Sequence, residues 1–271
     1  MNDNKIQENT IRNYLADHLV DTFQFQIYDS IDSTNTMAKK LADSEAIEGT
    51  VILAEEQVAG RGRQGRSFFS PSKSGIYMSL ILRPNVREIS PASFTTMAAV
   101  AVAEAMEELI EEQVDIKWVN DIYIKERKVC GILTEGAFDM EKGGLKYAVV
   151  GIGINVTPPK EEVPEELEQI ITTLSQSALQ EEHTVIDRNE LIAKVLNHLW
   201  GYYKKLPQIT FYEGYKKRSF LIGRKVGVLS NTGEEAATVL DVNQQFELVV
   251  QLENGEIKHL NSGEVRIRWK E

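Results

Sequence analysis

Residues 60–66 read GRGRQGR, which combines three glycines and three arginines in an otherwise acidic chain. Glycine permits positive φ angles and lets the backbone approach a ligand closely. Arginine presents a planar cation that suits phosphate and carboxylate oxygens. The combination predicts a loop that covers an anionic small molecule. An RNA-binding arm or a solvated turn would have the same composition, so the neighbouring segments have to distinguish these possibilities.

Three further segments carry residue types that could bind a ligand. The Ser-Thr-Asn triplet at 33–35 offers hydroxyl and amide groups, although the same residues are common helix N-caps. The hairpin KWVND–(x)6–KVCGIL carries Lys117 and Lys128, which could face an anion or could be solvated. The alternating glycines of GIGIN (151–155) indicate a strand that either a ligand or a helix approaches closely.

Several kinds of site are not indicated. No P-loop and no GxGxxG turn is present, so both common nucleotide fingerprints are missing. Cys130 has no neighbouring histidine in the sequence and is interpreted as a small strand residue rather than a nucleophile. The histidines show no metal-ligand spacing; they are His18, His183, His198 and His259.

Composition narrows the class of protein. The chain has 271 residues, of which 42% are hydrophobic and 26% charged, with a net charge of −11. This charge argues against nonspecific binding to nucleic acid or to anionic membranes. A single cysteine, a polar N-terminus without a signal peptide and the absence of an apolar run of membrane-spanning length predict a cytoplasmic protein.

Hydrophobic periodicity and turn residues predict a mixed chain of helices and strands. The apolar strand 147–156 is expected to be central, because it is hydrophobic on both faces. Other strands are predicted over 23–29, 50–57, 75–84 and the hairpin 114–138. Helices are predicted over about 6–20, 36–45, 92–113, 165–177, 188–205 and 209–217.

From residue 221 onward, short strands separated by turns predict a small all-β module, most simply a five-stranded SH3-like barrel. It contains six Lys and Arg residues against eight Asp and Glu residues. This balance does not favour a basic nucleic-acid platform.

In their order and spacing, the segments DSTN, GRGRQGR, KWVND, KVCGIL and GIGIN resemble the bacterial biotin protein ligases (biotin–[acetyl-CoA-carboxylase] ligases). The resemblance runs from about residue 27 to the C-terminus. It implies an α+β fold, with a class II aminoacyl-tRNA-synthetase-like mixed sheet flanked by helices and a small C-terminal SH3-like β-barrel. The expected division is a catalytic domain over 1–220 and a barrel domain over 221–271.

The resemblance also implies a reaction. Such an enzyme activates biotin with ATP to give biotinyl-5′-AMP and passes biotin to a specific lysine of a biotin carboxyl carrier protein of acetyl-CoA carboxylase. ATP is expected as its Mg²⁺ complex, and the resemblance leaves the Mg²⁺ ligands unassigned. No tightly bound prosthetic group is expected.

Site residues follow from the matching motifs. Lys128 and Arg63 are expected to be catalytic. The expected biotin-binding residues are Ser33, Thr34, Asn35, Gln57, Arg61, Gly62, Arg63, Lys128, Gly131 and Leu133. The expected nucleotide-binding residues are Arg66, Phe68, Lys117, Asn120 and Asn155.

The chain departs from the family pattern in three places. Val119 stands where the family often has proline, and Phe68 stands where a tryptophan commonly packs on adenine; a phenylalanine can still stack. Only about 25 residues precede the first strand, which is too few for the helix-turn-helix domain of the repressor members. A monofunctional ligase that binds neither DNA nor membranes is therefore expected.

Two alternatives remain at this point. A lipoate or octanoyl-protein ligase shares the fold, although the glycine–arginine loop, KWVND and the C-terminal barrel favour biotin. A non-enzymatic RNA-binding module would use GRGRQGR as its arm, which the acidic charge disfavours. The expected assembly is a monomer or weak homodimer.

Overall fold

A seven-stranded mixed sheet forms the centre of the computed structural model, which describes residues 4–85, 90–138, 143–178, 185–230, 233–261 and 268–269. Its strand order is β1-β2-β3-β7-β6-β5-β4, so β7 is central as predicted. β1 and β2 are parallel, and the other neighbouring pairs are antiparallel. The strands are Gln24–Tyr28 (β1), Thr50–Ala54 (β2), Gly75–Leu82 (β3), Asp115–Lys117 (β4), Asp121–Ile124 (β5), Arg127–Phe138 (β6) and Leu145–Asn155 (β7).

Seven α-helices lie within the described ranges. They are Glu8–Tyr14 (α1), Thr34–Asp43 (α2), Pro91–Glu107 (α3), Glu165–Glu168 (α4), Leu174–Ser177 (α5), Arg188–Tyr203 (α6) and Tyr212–Arg218 (α7). Short 3₁₀ turns occupy Asp17–Leu19 and Arg63–Gly65. None of the helices within these ranges combines the length and apolar character needed to cross a bilayer.

The helix predicted over 6–20 is wrong in its extent. α1 ends at Tyr14 because Leu15 and Ala16 are extended, with ψ of 148° and 140°. The helix predicted over 165–177 is likewise two short helices. Ile171, between them, forms a bridge with Lys128, and this pairing interrupts the helix.

Side chains alternate between the two faces of the sheet, and the helices cover these faces unequally. α3 packs against β6 and β7 and against α6, so the apolar residues of one face form the main core. On the other face α2 buries Ala38 and Ala42 against Ile52 and Ile81. Because α2 has only ten residues, part of this second face stays open for a ligand.

A five-stranded antiparallel sheet follows the large one, which confirms the predicted small all-β unit. Its order is β11-β10-β9-β8-β12, with the strands Lys225–Ser230 (β8), Gly233–Val242 (β9), Leu248–Leu252 (β10), Ile257–Leu260 (β11) and Arg268–Trp269 (β12). Residues 231–232 and 262–267 of the predicted all-β module lie outside the described residues, as does His183.

Phe246 joins the two sheets. Its carbonyl accepts a 2.8 Å hydrogen bond from the indole Nε1 of Trp118, and its ring stacks on Phe211 with centroids 5.6 Å apart. The Tyr215 hydroxyl donates to the Val119 carbonyl at 3.1 Å. Residues of the small unit and of α7 therefore contact Trp118 and Val119, in the segment between β4 and β5.

Candidate active site

Small residues form the floor of a cavity on the open part of the α2 face. Gly131 of β6 lies opposite Gly153 of β7, and Leu133 lies opposite Gly151. Ser79 of β3 is the partner of Gly151 on the other side. The cavity above them measures about 310 Å³, at the lower end of the range of small-molecule sites.

One end of the cavity is lined by fixed amide and hydroxyl groups. Gln57 Oε1 accepts from the Thr34 amide at 2.9 Å and from its hydroxyl at 3.1 Å, and Gln57 Nε2 donates to Ser70 at 2.9 Å. The Asn35 amide nitrogen donates to the Leu133 carbonyl at 3.1 Å. These contacts fix the side-chain orientations at this end, which suits recognition of a polar ring.

Five cations face the cavity, while Asp121 is the one acidic residue among its lining side chains within the described residues. The formal charge of these lining side chains, five positive charges less one negative charge, is +4. This contrasts with −11 for the whole chain. A cleft lined by one sign of charge raises the local concentration of the opposite ion, so the cavity favours anions. The cations are Arg61, Arg63, Arg66, Lys117 and Lys128.

Two of these cations belong to a chain of polar contacts along one wall. Lys128 Nζ lies 2.8 Å from Asp121 Oδ1, which also accepts from the Asn120 amide at 2.9 Å. Arg63 Nη1 donates to Asn120 Oδ1 at 2.8 Å. The glycine–arginine loop is thereby joined to the hairpin, and the catalytic pair predicted from the sequence is brought to one wall.

Lys117 lies in an unusual electrostatic environment. Burial lowers its pKa, the charges of Lys128 and Arg66 lower it further, and Asp121 partly opposes them. Its Nζ lies 5.4 Å from the centre of the Tyr123 ring, so part of its stabilisation comes from an aromatic face. Burial also lowers the pKa of Arg63. Perturbed pKa values of this kind cluster at functional sites, and the excess of positive charge suits an anionic ligand.

Phe68 lies directly on the glycine floor. An ideal Cβ on Gly153 would come within 2.5 Å of the Phe68 ring, and one on Gly131 would come within 3.2 Å. The ring also contacts Tyr77 edge-on, with centroids 6.5 Å apart. Glycine is required at 153 because any side chain there would displace the aromatic ring from the sheet.

The structure brings together every predicted site residue except Asn155. The cavity is lined by Ser33, Thr34, Asn35, Gln57, Arg61, Gly62, Arg63, Arg66, Phe68, Lys117, Asn120, Lys128, Gly131 and Leu133. Asn155 lies on the same face of β7 as Gly151 and Gly153, two residues beyond the position that Phe68 covers. It is not among the lining residues, and its nucleotide role stays a prediction.

Sequence reasoning missed four functional candidates. Asp121 and Trp118 belong to the KWVND segment, and their place in that motif was the available indication. Ser79 lies in an apolar strand and donates to Thr34 or Asn35, at 2.8 and 2.6 Å. Glu135 contacts the Asn35 amide at 3.1 Å. Nothing in the sequence marked these last two residues.

Comparison with known proteins agrees with this geometry. A family model described as the Biotin/lipoate A/B protein ligase family matches residues 27–155. The bifunctional ligase/repressor BirA of Bacillus subtilis is 34% identical over 97% of this chain and 79% of its own length. The biotin–[acetyl-CoA-carboxylase] ligase of Mycobacterium tuberculosis is 27% identical over 89% of this chain and 88% of its own.

A solved structure gives the same result in three dimensions. The biotin protein ligase from Aquifex aeolicus, in complex with biotin and ATP, matches with a TM-score of 0.74 at 29% identity. The match covers 91% of this chain and 99% of that one. The chain belongs to the biotin/lipoate A/B protein ligase family.

Proposed function

We propose that the protein is a biotin–[acetyl-CoA-carboxylase] ligase, which activates biotin with ATP and transfers it to a lysine of a biotin carboxyl carrier protein. The observation that carries this proposal is the cavity, which joins an end lined by hydroxyl and amide groups to a wall where Arg63, Arg66, Lys117 and Lys128 lie close together. Such a site suits a ligand with a polar ring at one end and an anion at the other. The similarity to ligases solved with biotin and ATP agrees with it.

The biotin ring would bind at the neutral end. Ser33, Thr34 and Gln57 present hydroxyl and amide groups there, beside the glycine floor and Leu133. Asn35 already makes three contacts with protein groups, so we expect it mainly to shape this end. The carboxylate of biotin would then extend towards Lys128.

The nucleotide would bind at the cationic wall. Arg63, Arg66 and Lys117 would face its phosphates, Asn120 would fix the wall, and Phe68 would offer a ring for stacking. The described residues contain no group of three or more potential metal-ligating side chains. Mg²⁺ usually binds through one or two carboxylates together with substrate phosphates, so Asp121 is the lining residue that fits Mg²⁺–ATP.

The first step would form the mixed anhydride. A carboxylate oxygen of biotin attacks the α-phosphorus of ATP, a new P–O bond forms, and pyrophosphate leaves with the electron pair. Both reactants are anions, so their repulsion opposes the approach. Preorganised cations offset this repulsion without reorganisation at the moment of reaction. We expect Lys128 and Arg63, which lie on the same wall, to have this role.

The second step would transfer the biotinyl group. The uncharged amine of the carrier lysine attacks the acyl carbon, AMP leaves, and the nitrogen loses a proton to form the amide. No protein nucleophile is needed. Cys130 is not suited to be one, because it is fully buried and burial raises the pKa of its thiol. The loop 60–66 would shield the anhydride from water.

The carrier protein, the division into domains at residue 220 and the assembly state belong to the same proposal. Trp118 and Phe246 pack the two units against each other, so we expect both units to be required for full activity.

We propose that the protein is a monomer or a weak homodimer. Sedimentation with and without biotin and ATP tests this, and a tight ligand-independent tetramer would exclude it.

ATP–pyrophosphate exchange tests the activity. Labelled pyrophosphate should enter ATP only when biotin is added, because the exchange requires reversible formation of the adenylate. Exchange with lipoate alone would assign the chain to the lipoate branch of the family. If folded protein gives no exchange with either acid, the proposed ligase activity is wrong.

A further inference from the structure

Glu135 is a charged residue that the proposed mechanism does not use. It lies on β6 two residues after Leu133, on the same face as the cavity floor, but it is not among the lining residues. Its carboxylate receives three donors: Lys39 at 2.7 Å, Arg61 at 2.9 Å and the Asn35 amide at 3.1 Å. One side chain of the sheet therefore contacts both α2 and the glycine–arginine loop.

The carboxylate is held in its ionised form. Its side chain is only 19% exposed, and burial by itself would raise the pKa. The hydrogen bonds from Lys39 and Asn35 and the charges of Lys39 and Arg61 outweigh burial, so the pKa of Glu135 is lowered. A charged acceptor with charged donors makes stronger hydrogen bonds than a neutral one.

The loop makes mostly local contacts of its own. Gly62 N donates to Arg66 O at 2.7 Å, and Phe68 N donates to Gly60 O at 2.9 Å. At the tip, Gln64 and Gly65 have φ of 55° and 75°, and a Cβ on Gly65 would have nothing within 4 Å. The contacts of Arg61 with Glu135 and of Arg63 with Asn120 therefore connect this exposed turn to the sheet.

We propose that Glu135 is a positioning residue that fastens the glycine–arginine loop to the sheet through Arg61 while it fixes the amide of Asn35. Loss of its charge would let the loop open more often. The effect of Glu135 on loop opening follows from its contacts with Arg61 and Asn35. The effect of loop opening on a bound adenylate rests on the proposed function.

Limited trypsin digestion of the full chain measures loop opening directly, because Arg61, Arg63 and Arg66 lie within the loop. Cleavage of a transiently opened segment follows the population of the open form. Glu135→Gln keeps the shape of the side chain and removes its charge. We expect cleavage after Arg63 and Arg66 to be about fivefold faster, the factor for a charge pair worth about 1 kcal/mol.

Lys39→Met is the matched control. It removes the other cation from the same carboxylate, but it leaves the pair with Arg61 intact. Its cleavage rate should equal that of the wild type, and all variants should still unfold cooperatively, within a few degrees of the wild-type melting temperature. An unchanged rate in Glu135→Gln, or an equal increase in Lys39→Met, would overturn the proposal.

A double-mutant cycle shows whether the two residues act as a pair. Arg61→Gln should speed cleavage after Arg63 and Arg66 as Glu135→Gln does, and the double variant should be no faster than Arg61→Gln alone. Additive effects would mean that Glu135 acts on the loop by another route, and the proposal would be wrong.

The adenylate gives the second readout. Wild-type protein is loaded with biotin and labelled ATP, and loss of the bound adenylate is followed after a chase. Glu135→Gln should still form it but lose it about fivefold faster, in proportion to loop opening. An unchanged loss rate would contradict the shielding role. If the wild type forms no adenylate, the proposed function fails while the trypsin result still decides whether Glu135 fastens the loop.

Discussion

The ammonium group of Lys128 is paired with Asp121 at 2.8 Å, and this pair lies 23% and 26% exposed on the cavity wall. The pairing holds the long lysine side chain in one orientation, which reduces the entropy lost when an anion binds. Asp121 is itself bonded to Asn120. The neighbouring residues therefore fix the position of the Lys128 charge on the cavity wall before a ligand binds.

Replacement of Lys128 by alanine should lower biotin-dependent ATP–pyrophosphate exchange by at least about a hundredfold, the usual loss for one preorganised donor in an active site. Lys125→Ala is the matched control, because Lys125 is 60% exposed on the same hairpin and pairs with Glu112. Its exchange should be unchanged. Similar losses in both variants would show that the hairpin, rather than the Lys128 charge, matters.

Some residues of the candidate site could be predicted from the sequence, whereas others are identified only by the arrangement of the strands. Lys117, Lys128 and the GIGIN glycines could be found from their motifs, and their strands were predicted. Ser79 and Glu135 could not be found, because each contacts Asn35 only through the register of β3, β6 and β7. Such contacts depend on which strands are neighbours, and a single strand's periodicity carries no information on this.

The central strands depend on glycine for the shape of the floor. A Cβ on Gly151 would lie 2.0 Å from Asn35 Oδ1, so an alanine there must displace the Asn35 amide. We expect Gly151→Ala to raise KM for biotin roughly tenfold, the loss for one or two misaligned hydrogen bonds. KM for ATP should change much less. Steady-state exchange kinetics over both substrates measure the two values.

Gly201→Ala provides the comparison for this prediction. Gly201 lies in α6, and a Cβ there would have nothing within 4 Å. Alanine is also the better helix former, so this variant should be as stable as the wild type or slightly more so, with unchanged kinetics. If Gly151→Ala kept the wild-type KM for biotin, Asn35 would have no part in shaping that end of the cavity.

Across the whole molecule, the second sheet supports the first at Trp118. The indole is only 8% exposed and lines the cavity, while its partner Phe246 is 2% exposed. Trp118→Phe would leave the Phe246 carbonyl without its donor, and an unsatisfied buried group costs about 1–3 kcal/mol. Chemical denaturation should show this loss. KM for ATP should also rise, because Lys117 directly precedes Trp118 and Asn120 lies two residues after it.

Trp200→Phe is the control for this prediction. It distinguishes loss of the Trp118–Phe246 hydrogen bond from the general effect of replacing a buried indole. Trp200 is buried beside Phe23 and Tyr203, within the first unit of the chain. It should alter stability without changing KM for ATP. Equal KM values for Trp118→Phe and the wild type would mean that the second sheet adds stability but does not position the nucleotide wall.

The charge of the cavity leads to a pH dependence. Burial and the neighbouring charges of Lys128 and Arg66 lower the pKa of Lys117, so it loses its proton at a lower pH than an ordinary lysine. Neutral Lys117 no longer attracts phosphate, and KM for ATP should therefore rise at a lower pH than the deprotonation of an ordinary lysine would allow. Between the lowered pKa and the ordinary one, the unfolded chain binds more protons than the folded chain. The contribution of Lys117 to stability therefore rises over the same interval.

These opposite trends distinguish a loss of binding charge from alkaline unfolding. Lys117→Arg keeps the positive charge throughout this interval, because arginine remains protonated in proteins. Its KM for ATP should stay flat where that of the wild type rises, as measured by exchange at a series of pH values with constant ionic strength. Identical profiles for the two proteins would exclude Lys117 as the titrating group and would place the alkaline loss of ATP binding elsewhere on the cationic wall.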